Sequence, residues 1–75
     1  MQYQKNYDLK IRNRIRKFRK QRGLSQEKLA ELVDSSREHI NRMESGKDNI
    51  SLSYFIKLAD AFEVSLDELA GFKKE

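Results

Sequence analysis

Arg37, Asn41 and Arg42 stand at i, i+4 and i+5 in a stretch whose apolar residues recur at helical spacing. That spacing gathers the three on one face of a helix while Ile40 and Met43 turn inward. A guanidinium can bond bidentately to the edge of guanine, a carboxamide to adenine, and a carboxylate such as Glu38 can accept from cytosine. The set is therefore equipped to read the hydrogen-bonding edges of bases. Each member has a plainer alternative. Arg37 and Arg42 could be ordinary solvated charges. Asn41 is a weak helix former with little structural reason to be there. Glu38 lies three residues after Ser35, so it either closes a capping box or accepts from a base. His39 reads as an exposed or half-buried flank of the helix, neither a base contact nor a metal ligand.

Positioning these groups requires two short helices and a tight turn, and the segment Ser25–Gly46, SQEKLAELVDSSREHINRMESG, supplies that pattern. It is the signature of a helix-turn-helix that lays its second helix in the major groove of DNA. The spacing predicts a first helix from about Asp8 to Arg22, with Leu9, Ile11, Ile15 and Phe18 as its apolar stripe. A second starts at the N-cap Ser25 and runs to Val33, burying Leu29, Ala30, Leu32 and Val33. A third follows Asp34 and ends at Ser45, burying Ile40 and Met43. A fourth spans about Ser51 to Phe62, with Leu52, Phe55, Leu58, Ala59 and Phe62 inward. A fifth covers Leu66 to Ala70, opened by a Ser65–Glu68 capping box and a Val64–Leu69 staple. Gly23, Gly46 and Gly71 each follow a periodic segment, where a helix ends on a left-handed residue. No heptad persists, which excludes a coiled coil. The fold class is all-α, one compact five-helix domain over residues 9–71, with the helix-turn-helix at about 25–45. Residues 1–8 read as a flexible N-terminal segment.

Composition narrows the function further. Among the 75 residues there is no Cys, which excludes disulfides, thiolate metal sites and a cysteine nucleophile. With one His, a metal site would have to rely on carboxylates, and none is expected. No apolar run approaches the length of a membrane span, and no signal-peptide core is present. The expectation is a cytoplasmic protein with no membrane partner. The net charge of +4 hides an asymmetry. Residues 1–28 carry ten Lys or Arg against Asp8 and Glu27; residues 29–75 carry six against ten acids. A basic region beside an acidic one suits a polyanion on one side, the alternative being a solvated helix face.

Three segments carry a more specific likeness: IRKFRKQRGLSQEKLAELV, SSREHINRMESGKDNISL and KLADAFEVSLDEL. Over roughly residues 9–70 the chain resembles the phage-repressor-like, Xre-type helix-turn-helix family. The string GKDNISL is also similar to that of small controller proteins of restriction–modification systems. The resemblance implies a lambda-repressor-like fold. It implies that Gln26 touches a phosphate, and that Ser36, Arg37, Glu38, Asn41 and Arg42 face base edges and nearby phosphates. Lys47 and Asn49 would grip the backbone from the following loop. It further implies an internal ion pair between Arg19 and Glu44, so Arg19 is structural despite its basic neighbours. Arg12, Arg14, Arg16, Lys17 and Lys20 divide between phosphates and water. The chain departs from the family at the turn, where Asp34-Ser35-Ser36 replaces Gly-Val-Ser. Asp tolerates the left-handed conformation, but Ser35 in place of an apolar residue weakens packing between the second and third helices. Ile50 stands where a Pro often precedes the fourth helix.

The fourth helix has more apolar surface than one core face needs. Tyr54, Ile56 and Phe72 are candidate dimer-interface residues, the alternative being a monomer with these side chains flat on its own surface. A homodimer would bind a pseudo-palindromic operator, its two reading helices about 34 Å apart. The leading function is a sequence-specific regulator of transcription that binds double-stranded DNA, a repressor or autoregulator. The second class is an antitoxin or protein-interaction adaptor on the same fold. An enzyme is not expected, because no nucleophile–base set, phosphate loop or metal-ligand cluster is present. No cofactor and no small-molecule ligand are implied.

Overall fold

A computed structural model describes residues 5–72, with side chains from Asp8 onward. Five helices follow one another: α1 Lys5–Gln21, α2 Gln26–Leu32, α3 Arg37–Ser45, α4 Leu52–Phe62 and α5 Leu66–Ala70. The described part is all-helical, as the periodicity requires. Helix α1 begins at Lys5, so residues 5–8, assigned from sequence to a flexible segment, are helical. Residues 1–4 lie outside the described residues. Helices α2 and α3 pack on each other, while α1 runs against α3, α4 and α5 and joins the two halves.

The helix ends follow one local rule. Ser25, Ser36, Ser51 and Ser65 cap α2 to α5, each hydroxyl accepting the backbone N–H three residues on. Loss of such a cap costs about 1 kcal/mol. Each of the five described helices ends on a left-handed residue: Gly23, Asp34, Gly46, Glu63 and Gly71. The amide that follows each one reaches back to the last turn, as in Ser35 N–H to Ala30 O at 2.8 Å and Val64 N–H to Ala59 O at 3.0 Å. This closure satisfies carbonyls that would otherwise be orphaned. The Ser35 amide is committed to closing α2, so the N-cap of α3 moves on to Ser36 and no Ser35–Glu38 capping box forms. The Ser65–Glu68 box does form.

The core comprises Ile15, Leu29, Ala30, Val33, Ile40, Met43, Leu58, Ala59, Phe62 and Leu69. Three expected members are outside it: Leu9 is 62% exposed, Leu32 53% and Leu52 71%. At about 100° per residue, Leu9 lies about 120° around the helix from Ile15. Leu32 lies well off the line of Leu29, Ala30 and Val33, and Leu52 opens α4 a full turn before Phe55 reaches the core. Phe55 is only half-buried. Ser35 is also half-buried, its Oγ 2.9 Å from His39 Nδ1.

The space left by Ser35 and His39 is shared with Tyr54, whose ring centroid lies 4.8 Å from that of His39. The Tyr54 hydroxyl is buried without a partner in hydrogen-bonding geometry. Burial pushes the phenol up from its ordinary value, and the side-chain contact with Ser35, short of full hydrogen-bonding geometry, opposes that shift. A raised folded-state value means that the native protein holds this proton more tightly than the unfolded chain does. The contribution is complete below about pH 10 and is lost as pH rises through the folded value. Tyr54→Phe is expected to raise stability by about 1 kcal/mol, because an unsatisfied hydroxyl leaves the interior. It is also expected to remove this part of the alkaline loss. Urea unfolding at neutral and alkaline pH checks both; a destabilised variant would show that the hydroxyl is satisfied in solution.

Candidate nucleic-acid interface

The basic block on α1 is the natural first candidate for a polyanion surface, yet most of its arginines point into the molecule. Arg12 is buried, donates to the Met43 carbonyl near the end of α3 and pairs with Asp8 at 3.1 Å. Arg14 donates to the carbonyls of Glu68 and Leu69 at the end of α5. Arg22 donates to the Phe62 carbonyl at the end of α4 at 2.8 Å. Three helix C-termini, each the negative end of a dipole, are thus closed by guanidinium groups from α1 and from Arg22 just past its end. Phe18 stacks on Phe62 at 5.9 Å, and Arg14 and Arg22 lie over the Phe18 ring at 5.5 and 5.1 Å. The charge count could not separate these architectural arginines from Lys17 and Lys20, which are exposed.

Arg19 and Glu44 form a buried pair. Arg19 Nε donates to Glu44 Oε2 at 2.8 Å and its Nη2 to Oε1 at 3.2 Å, while Nη1 donates to the Leu24 carbonyl. The Glu44 side chain is 1% exposed, and Arg16 Nε lies 3.6 Å from Oε1. Gln26 Nε2 donates to that same oxygen at 3.2 Å. Fixing one end of the Gln26 amide turns its Oε1 outward, where Asn41 Nδ2 approaches to 3.5 Å. A chain of contacts therefore runs from α1 through the buried carboxylate to the surface of α3.

That surface brings together most of the residues singled out by sequence. Gln26, Arg37, Glu38 and Asn41 line one shallow polar depression, with Arg37, Glu38 and Asn41 exposed. Ser36 sits at its edge as the cap of α3. Ile40, Met43 and Glu44 hold the opposite side of the helix in the core. Arg42 is exposed beside this group, and its Nε donates to Asp48 Oδ2 at 3.0 Å. The hydrogen bond from Arg42 holds the Asp48 carboxyl below its ordinary range, with partial burial opposing and the charges of Arg42, His39 and Arg12 assisting. The same bond raises the Arg42 guanidinium. Lys47 is exposed at the end of α3. Asn49 lies apart, beside a mostly apolar groove with Ile11, Ile50, Leu52 and Phe55. Of the proposed interface residues, Ile56 and Phe72 are exposed, whereas Tyr54 is half-buried against His39.

Asp48 was not singled out by sequence. Its signal lay in Gly46. A left-handed residue there turns the chain back, so that the amides of Lys47 and Asp48 both reach the Arg42 carbonyl, at 2.8 and 3.3 Å. No group of side chains suited to a metal ion occurs among the described residues, and no described helix is long and apolar enough to cross a membrane.

Comparison with known proteins agrees with this geometry. An HTH-type transcriptional regulator of Archaeoglobus fulgidus is 42% identical over 65 residues, covering 87% of this chain and 93% of that protein. The control protein C.MunI of Mycoplasma sp is 38% identical over 65 residues, covering 83% and 88%. The crystal structure of the restriction-modification controller protein C.AhdI from Aeromonas hydrophila matches with a TM-score of 0.79 at 37% identity, over 88% of this chain and 99% of that one. The helix-turn-helix family model matches residues 15–69. With the turn, the buried core of α2 and α3 and the polar outer face of α3 all in place, the chain belongs to the helix-turn-helix family.

Proposed function

We propose that this protein is a transcriptional regulator, a repressor or autoregulator, that binds double-stranded DNA in a sequence-specific manner through α3 in the major groove. One observation carries the reading. Arg37, Glu38 and Asn41 are exposed on the outer face of α3, next to Gln26 at the start of α2, and Gln26 is anchored to the buried Arg19–Glu44 pair behind them. An exposed polar triplet on a fixed base suits recognition of base edges, where an error of an ångström removes a hydrogen bond. Ser36 and Gln26 flank the triplet and suit contacts to phosphate or to the neighbouring side chain. Lys47 extends the backbone contacts into the loop after α3, whereas Asn49, beside the apolar groove, does not share that surface.

Lys47 is a phosphate contact in this arrangement. Lys47→Ala is expected to lower the slope of log K against log salt by about one, with equal weakening on all sequences. Binding of a labelled duplex across a salt series measures it, and an unchanged slope removes Lys47 from the interface. Ile56 and Phe72, both exposed, suit a homodimer contact, whereas Tyr54 packs against His39 of α3. Two copies would then meet an inverted repeat whose halves lie about 34 Å apart. The protein works in the cytoplasm, where its DNA is. Selection of bound duplexes from a random pool at about 150 mM salt, where loose phosphate attraction is weak, tests the reading. Enrichment of one motif is expected. A folded protein that enriches none overturns it and favours a protein-binding adaptor.

A further inference from the structure

We propose that Asp48 is a specificity-determining positioning residue, holding the Arg42 guanidinium so that its two Nη groups face a guanine in the major groove. The inference rests on the DNA-binding reading above. Asp48 is bound to Arg42 twice, side chain to side chain at 3.0 Å and backbone N–H to the Arg42 carbonyl at 3.3 Å. Lys47 N–H and Ser45 Oγ donate to that same carbonyl at 2.8 and 3.1 Å. The loop after α3 is thereby closed onto the residue whose side chain it grips. Arg42 remains 49% exposed.

The chemistry of the fork decides what this arrangement is for. A guanidinium bonds bidentately through Nη1 and Nη2 or through Nε and one Nη. With Nε occupied by Asp48, the Nη pair is the edge left to present, which matches guanine O6 and N7. A free arginine must lose side-chain freedom when it binds, whereas a gripped one is ordered beforehand. Charge points the same way. Asp48 offsets the charge of Arg42 and is repelled by phosphate, so the pair adds little to sequence-independent attraction. A group whose role was only to hold phosphate would be poorly served by such a neighbour. His39 Nε2, 4.0 Å from the same carboxylate oxygen, flanks the pair without displacing Arg42.

The test compares the full chain with Asp48→Ala, Asp48→Asn and Arg42→Ala. The probes are the duplex enriched by the wild type from a random pool, its single-base-pair variants, and a scrambled duplex. The wild type is expected to disfavour replacement of one guanine by about 5- to 150-fold. Arg42→Ala should abolish that preference. Asp48→Ala should weaken it at the same base pair by at least about fivefold while binding the scrambled duplex more tightly. Asp48→Asn keeps an acceptor without the charge. It should recover much of the preference while keeping the tighter scrambled binding. The Arg42 Nε–H resonance gives a readout without DNA, and should lose its protection from exchange in Asp48→Ala. Uniformly tighter binding by Asp48→Ala with every base preference intact would overturn the proposal, leaving Asp48 as an electrostatic brake. A wild type with no sequence preference would overturn the DNA-binding reading and this proposal with it.

Discussion

Glu44→Ala is expected to destabilise the fold by about 3–5 kcal/mol, the largest effect of any single change considered, because it leaves Arg19 buried with its charge unpaired. The same change releases the Gln26 amide and removes the carboxylate near Arg16. A small domain has a total stability near the lower end of about 5–15 kcal/mol, so a large share of the protein would unfold at 37 °C. Urea unfolding of wild type and variant measures the difference. Replacing both partners with apolar residues, Arg19→Met with Glu44→Leu, is expected to cost less than Glu44→Ala alone, since neither charge then remains stranded. A loss below about 1 kcal/mol in Glu44→Ala would mean that water reaches the pair and that it does not anchor α3.

Arg37→Ala and Asn41→Ala are expected to leave stability near the wild-type value, because both side chains are exposed. Their effect falls on DNA. Each should lose about 1–3 kcal/mol on the preferred duplex and relax the preference at one base pair. Binding of single-base-pair variants to each mutant separates the possible roles. Equal weakening on every sequence would reassign the residue to phosphate contact. The Asn41 result also bears on Gln26, whose carbonyl oxygen approaches the Asn41 amide at 3.5 Å. If Gln26 orients Asn41, then Gln26→Ala should relax the same base pair.

Helix punctuation was the most legible part of this fold. Serine caps and glycine stops are local devices, set by a hydroxyl within reach of an amide or by the absence of Cβ. They placed the ends of the helices to within a residue or two over most of the chain. Glu63 escaped because its left-handed backbone is imposed by tertiary packing of Val64 and by closure onto Ala59, not by its own preference. Leu9, Leu32 and Leu52 were placed inward because an apolar side chain at helical spacing does not reveal how wide the buried face is. The most instructive loss was the arginine-rich helix. Arg12, Arg14 and Arg22 look like a surface for a polyanion in sequence. In three dimensions each closes the end of a different helix, which only the packing of α1 against α3, α4 and α5 could reveal.

At the candidate interface, sequence brought forward the side chains on α3 because their spacing is intrahelical. It could not show that Gln26 joins them through Glu44, since that link crosses from α2 to α3 through a buried carboxylate shared with α1. The family resemblance groups Asn49 with Lys47, yet the turn after α3 sends the two to different surroundings. Asp48 lay between them unnoticed, because an acidic residue in a loop is ordinarily solvated. Its partner is identified only once the left-handed Gly46 folds the loop back over Arg42.

Mapping backbone amide perturbations in the isotope-labelled protein, as the duplex enriched from a random pool is added, tests most directly whether the outer face of α3 reads DNA. The expected result is a contiguous set of shifts at Gln26, Ser36 to Arg42 and Lys47, lost in Arg37→Ala. Shifts confined to α4, α5 and Phe72, with α3 silent, would contradict it and place the working surface of this protein on its apolar side.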